Sequence, residues 1–64
     1  MDIYTEVLTT LIPDIKNQRD KYGWSERQTR GYVVSVVTKT YVEKLSWFGR
    51  HNLVDFIMKH IYNH

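Results

Sequence analysis

The stretch "YVVSVVTKTYVEKL", Tyr32 to Leu45, decides what this chain can fold into, because its composition and its spacing pull in opposite directions. Its β-branched residues favour a pleated strand. A half-buried strand should alternate apolar and polar residues. Here one parity reads Val33, Ser35, Val37, Lys39, Tyr41, Glu43 and the other Tyr32, Val34, Val36, Thr38, Thr40, Val42. Neither face is cleanly polar, and no turn signal divides the run into a hairpin. At ~100° per residue, Val33, Val34, Val37, Tyr41 and Leu45 instead gather on one face roughly 120° wide. Helix is therefore expected. Tyr32 and Val42 fall well off that face and Val36 to one side, so the helix is apolar on more than one side, as a central or interface helix is. Gly31 within it costs ~1 kcal/mol relative to Ala, which is expected to mark a bend or a close approach.

Punctuation on either side places the neighbouring elements. Asp2 is a candidate cap for a first helix whose apolar positions Ile3, Val7, Leu11 and Ile15 recur every four residues. Arg19 and Lys21 suit the negative end of its dipole, and Gly23 is a natural left-handed stop. Pro13 should kink this helix or split it into Asp2–Leu11 and Pro13–Tyr22. Ser25 opens the central helix, with "SERQ" matching a capping box in which Gln28 reaches back. That helix is expected to run to Phe48 and stop at Gly49. Asn52 would then cap the last helix, whose stripe is Leu53, Phe56, Ile57 and Ile61, with Asp55–Lys59 as a weak ion pair. The expectation is one all-α domain over residues 1–64, a small bundle of three or four helices with a long central helix and a helix-turn-helix-like corner.

A chain of 64 residues buries only about 60% of its unfolded surface and is marginally stable. Such domains usually add disulfides, a metal or a partner subunit. Cysteine is absent, so disulfides and thiolate metal sites are excluded. Five Tyr, two Trp and two Phe are more rings than so small an interior hides, and rings are favoured at interfaces. Trp24 lies in a tight turn, Trp47 and Phe48 lie at the far end of the central helix, and Tyr32 and Val42 stand off its main face. These five are the candidate partner-contact residues, since Trp, Tyr and Arg dominate binding hot spots. A non-enzymatic protein–protein module follows, a regulator, inhibitor or adaptor that associates with itself or with another protein.

The second candidate function lies in "KYGWSERQTRGYVV", Lys21 to Val34. Its "GWSERQTR" resembles the turn and recognition-helix start of helix-turn-helix proteins. The resemblance covers about a dozen residues and implies a DNA-binding regulator. Arg27 and Arg30 would address guanine or phosphate, Gln28 adenine, and Lys16, Arg19 and Lys21 the backbone, with Ser25 capping the reader. Arg19 stands where such motifs commonly hold a small residue, and the second helix is longer than a usual reader. The net charge of +2 permits nucleic acid without demanding it.

Other chemistries find little purchase. His60 and His64 are four apart and offer two metal ligands, whereas a catalytic zinc needs three and a structural one four. His60, which continues the last apolar stripe, is expected to lie partly buried at the bundle edge, and His51 at the surface or a boundary. The acidic residues are spread singly, the glycines form no phosphate loop, and no serine sits in an elbow motif. No cofactor and no small-molecule substrate are expected. No run approaches the ~20 apolar residues of a membrane span, and "MDIYTEVL" lacks the basic start of a signal peptide. Cytoplasmic placement is the resulting expectation.

Overall fold

A computed structural model describes residues 2–62. Among them the chain forms three helical rods and no strand. The first rod is built from α1 (Ile3–Glu6), a π-helical segment (Val7–Leu11) and α2 (Ile12–Tyr22), which follow one another without a break. The second is α3 (Glu26–Thr40) and the third α4 (Trp47–Tyr62). The valine-rich middle is helical, as its spacing predicts.

Asp2 caps the first rod, its carboxylate accepting from the Thr5 amide at 2.7 Å. Pro13 does not split the rod, which runs on from Ile3 to Tyr22. Its ring and missing N–H disturb the preceding turn, and the chain absorbs this by widening that turn: the amide of Ile12 donates to Val7, five residues back. The hydroxyls of Thr9 and Thr10 donate to the carbonyls of Thr5 and Glu6 beside the wide turn. The extra residue also rotates the apolar stripe. Val7, Ile12 and Ile15 are the buried positions of this rod, while Leu11, where a strict four-residue repeat places the contact, is half-buried.

Gly23 ends the rod at φ 66° and ψ 35°, a left-handed conformation that needs no Cβ. Ser25 and Gln28 then close both arms of the capping box, at 3.2 Å and 2.9 Å. Gly31 is an interior helical residue with open space where a Cβ would stand, so no close approach is made there.

The central helix is shorter than its pattern suggests. It ends at Thr40, with Tyr41 as a non-helical cap whose ring is buried, and residues 41–45 form a turn. The cap of α4 is Ser46, not Asn52: its Oγ accepts from the Gly49 amide at 3.2 Å and its carbonyl from Arg50 at 2.9 Å. Gly49 and Asn52 both lie inside α4. A helix continued from Glu26 to Phe48 would be ~35 Å long and would overshoot a molecule that measures 31 × 21 × 21 Å. Turning at Tyr41 returns the stripe of α4 to the core, which compensates for the lost helical hydrogen bonds.

The core joins Val7, Ile12 and Ile15 to Val33, Val37 and Tyr41 and to Leu53, Val54, Ile57, Met58 and Ile61. Full burial of such aliphatic side chains contributes ~1.5–3 kcal/mol each. Thr29 is the one buried polar residue among those described. Its hydroxyl donates to the Ser25 carbonyl at 2.9 Å and accepts from Tyr62 at 2.8 Å. The core is thereby tied to the Gly23 corner without an unpaired hydroxyl.

Candidate functional site

The five candidate contact residues separate into two groups. Trp24 and Tyr32 meet at the Gly23 corner, ring centroids 4.9 Å apart, and Tyr22 stacks on the other side of Trp24 at 5.7 Å. The Tyr32 hydroxyl accepts from Gln18 Nε2 at 3.1 Å, which joins α2 to α3. Both Trp24 and Tyr32 are half-buried by these contacts. Their surplus area is thus spent largely within the chain.

Trp47, Phe48 and Val42 gather at the opposite end. Trp47 is 71% exposed, Phe48 65% and Val42 54%. Arg50 holds this end together by donating to the carbonyls of Val42 at 3.1 Å and Leu45 at 2.8 Å, both in the turn that follows α3. Trp47 stacks on His51 one turn further along α4, with ring planes 8° apart and centroids 5.7 Å apart.

Beside Trp47 an open groove of about 210 Å³ runs between α3 and α4, with Val34, Val37 and Val54 as its floor and Arg30, Arg50 and His51 on its rim. Val34 lies at the edge of the apolar arc of α3 and is 43% exposed here. Asp55 sits between two rim groups, 3.4 Å from Arg30 and 3.7 Å from His51. It turns toward these rather than toward Lys59. All three side chains are about half exposed, so each pair contributes little to stability.

The candidate DNA-reading residues are distributed differently. The Gln28 carbonyl oxygen and the Ser25 hydroxyl are engaged in capping. Arg30 is paired with Asp55. Arg19 donates to Asp20 at 3.1 Å and lies 5.4 Å over the Tyr62 ring, and the hydrogen bond to Asp20 holds its pKa above the ordinary value. Lys21 lies over the Tyr22 ring at 5.4 Å. Arg27 and Lys16 are exposed.

His60 is exposed rather than partly buried, with Nδ1 hydrogen-bonded to the Phe56 carbonyl at 2.9 Å. His64 lies outside the described residues. No three His, Asp or Glu side chains converge on a metal-sized space among the described residues. No helix there is long and apolar enough to cross a membrane.

A second hollow, about 310 Å³, opens on the other flank of α3, where Glu6, Leu11 and Asp14 of the first rod face Val36, Thr40 and Tyr41. Burial, and then the nearby Glu6 carboxylate, push the Tyr41 phenol above its ordinary pKa. The sequence signalled neither concavity as such. Trp47 and His51 at helical spacing and the off-stripe position of Val36 are the traces both leave there. Comparison with protein families, with characterised proteins and with solved structures gives no match.

Proposed function

We propose that this chain is a non-enzymatic protein-contact module, a small regulator, inhibitor or adaptor that associates with itself through the Trp47 end. The observation that carries the reading is the 71% and 65% exposure of Trp47 and Phe48 beside an apolar-floored groove. A domain with so small a core gains stability from covering such rings, and aromatic anchors flanked by arginine are the usual source of binding energy. Cytoplasmic placement belongs to this reading.

A helix-turn-helix regulator using Ser25–Arg30 has less support. Ser25 and Gln28 are held in the cap, which leaves Arg27, Lys16, Lys21 and the half-exposed, Asp55-paired Arg30 as the cations for phosphate. Sedimentation velocity over a range of protein concentrations separates the two. The wild type should sediment faster as concentration rises, and Trp47→Ala should stay monomeric. A wild type that is monomeric throughout, yet shifts duplex DNA in a salt-dependent manner lost with Arg27→Ala, would instead establish the second reading.

A further inference from the structure

The two concavities differ in charge in a way that suggests what covers the Trp47 end. Residues 2–15 contain Asp2, Glu6 and Asp14 and no Lys or Arg. Residues 25–62 contain six Lys/Arg against three Asp/Glu, a net of +3. The asymmetry reaches the surface. The hollow on the first rod has Glu6 and Asp14 at its rim and Leu11, Val36 and Tyr41 on its walls. The groove beside Trp47 has Arg30, Arg50 and His51 at its rim, with the half-exposed Asp55 beside Arg30 and His51, a weak surface pairing that an incoming carboxylate can displace. On α3 the groove is lined by Val34 and Thr38 and the hollow by Val36 and Thr40, so the two lie on either flank of the buried Val33–Val37 stripe.

Size and shape agree with charge. The hollow of about 310 Å³ is open to solvent, so an aromatic side chain can lie against its apolar walls. Trp47 and Phe48 are the most exposed large apolar side chains among the described residues. The Trp47 end carries two protruding rings, one of them on the groove with cations beside it, and the hollow is an acidic, apolar-walled receptacle.

We infer that the acidic hollow of one copy receives the Trp47–Phe48 end of a second copy, so that the chain associates head to tail. The inference rests on the protein-contact reading above and names its partner. Two different surfaces meet, so a pair leaves one hollow and one Trp47 end unused, and the assembly grows into a ring or an open chain rather than stopping at a two-fold dimer.

Complementation tests it. Glu6→Gln/Asp14→Asn removes the acidic rim, and Arg30→Gln/Trp47→Ala removes the basic aromatic end; all four positions are exposed, and circular dichroism checks that both variants stay helical. Each variant alone should sediment as a monomer at concentrations where the wild type forms oligomers. Their equimolar mixture should form a one-to-one dimer and grow no further, because each variant retains one good surface. Wild-type assembly should weaken as salt is raised. Persistent self-association of Glu6→Gln/Asp14→Asn, with no gain on mixing, overturns the head-to-tail arrangement while leaving a Trp47-mediated contact intact. A wild type that is monomeric throughout overturns the self-association reading itself.

Discussion

The two tryptophans stand at opposite ends of α3, each beside a chain reversal, and they meet opposite fates. At the Gly23 corner the turn is left-handed, the helix that follows is capped from both sides, and Trp24 is held between Tyr22 and Tyr32. Tyr62 reaches across from α4 to Thr29, and Gln18 from α2 to Tyr32, so all three rods are tied to this end. At the Tyr41–Ser46 reversal Arg50 caps two carbonyls and Ser46 caps α4, but the indole stacked on His51 stays 71% exposed. A satisfied backbone and a covered side chain are therefore separate properties of a turn. One reversal is finished within the chain, and the other leaves a surface for something else to finish.

The sharpest break in that comparison is the pair of alanine substitutions. Trp24→Ala should cost about 2 kcal/mol in chemical denaturation, below the ~3–5 of a fully buried ring because Trp24 is only half-buried. Trp47→Ala should stay within ~0.5 kcal/mol of the wild type when measured at a concentration too low for association. Equal losses at the two positions would mean that Trp47 already has a covering within the monomer, and the comparison would fail.

The next test concerns the backbone. Gly23→Ala places a Cβ on a left-handed residue and should destabilise by ~1–2 kcal/mol, although no atom lies near enough to clash. Gly31→Ala should act in the other direction, raising stability by up to ~1 kcal/mol, because Gly31 is a right-handed helical residue in open space. Thermal melts of the two variants should bracket the wild type. A Gly31→Ala protein that melts lower would mean that the α3 surface is in contact with something the monomer does not show.

What the sequence makes legible follows the same division. Asp2, Gly23, Ser25 and Gln28 are punctuation whose chemistry is local, and each does in the structure what its residue type prescribes. The end of α3 was not legible, because no Gly or Pro marks it. The signal is Ser46 with Gly49 and Arg50 behind it, which lacks the Glu or Gln of a capping box, and Gly49 reads as a stop when it is in fact in the first turn of α4. The wide turn before Pro13 was also hidden. Proline announces a disturbance but not whether the chain kinks, breaks or inserts a residue; here the inserted residue leaves Ile12 buried and Leu11 half-buried. Of the candidate site, the exposed aromatic residues were legible and their grouping was not. Grouping depends on where α3 stops, since a helix continued to Phe48 would carry Trp47 away from Val34.

The smallest expected effect separates the caps by their chemistry. Ser25 and Ser46 cap with hydroxyls, which do not titrate, whereas Asp2 caps with a carboxylate. The hydrogen bond from the Thr5 backbone amide favours the charged form and lowers the Asp2 pKa below its ordinary value. A carboxylate with a depressed folded-state pKa contributes stability in full above the unfolded value of ~3.9, and loses it as pH falls through the lower folded value. Because Asp2 is fully solvent-exposed, this loss should appear as fraying of the first turn and not as unfolding. Amide exchange at Thr5 and Glu6 should accelerate, relative to its intrinsic rate, as the solution is acidified below about pH 4, while the Gln28 amide at the corner stays protected. Asp2→Asn keeps a capping oxygen of similar strength and should abolish the acid-induced fraying. Parallel loss of protection at Thr5 and Gln28 would show that the first turn and the corner open together, and that the corner is not the independently completed unit its hydrogen bonds describe.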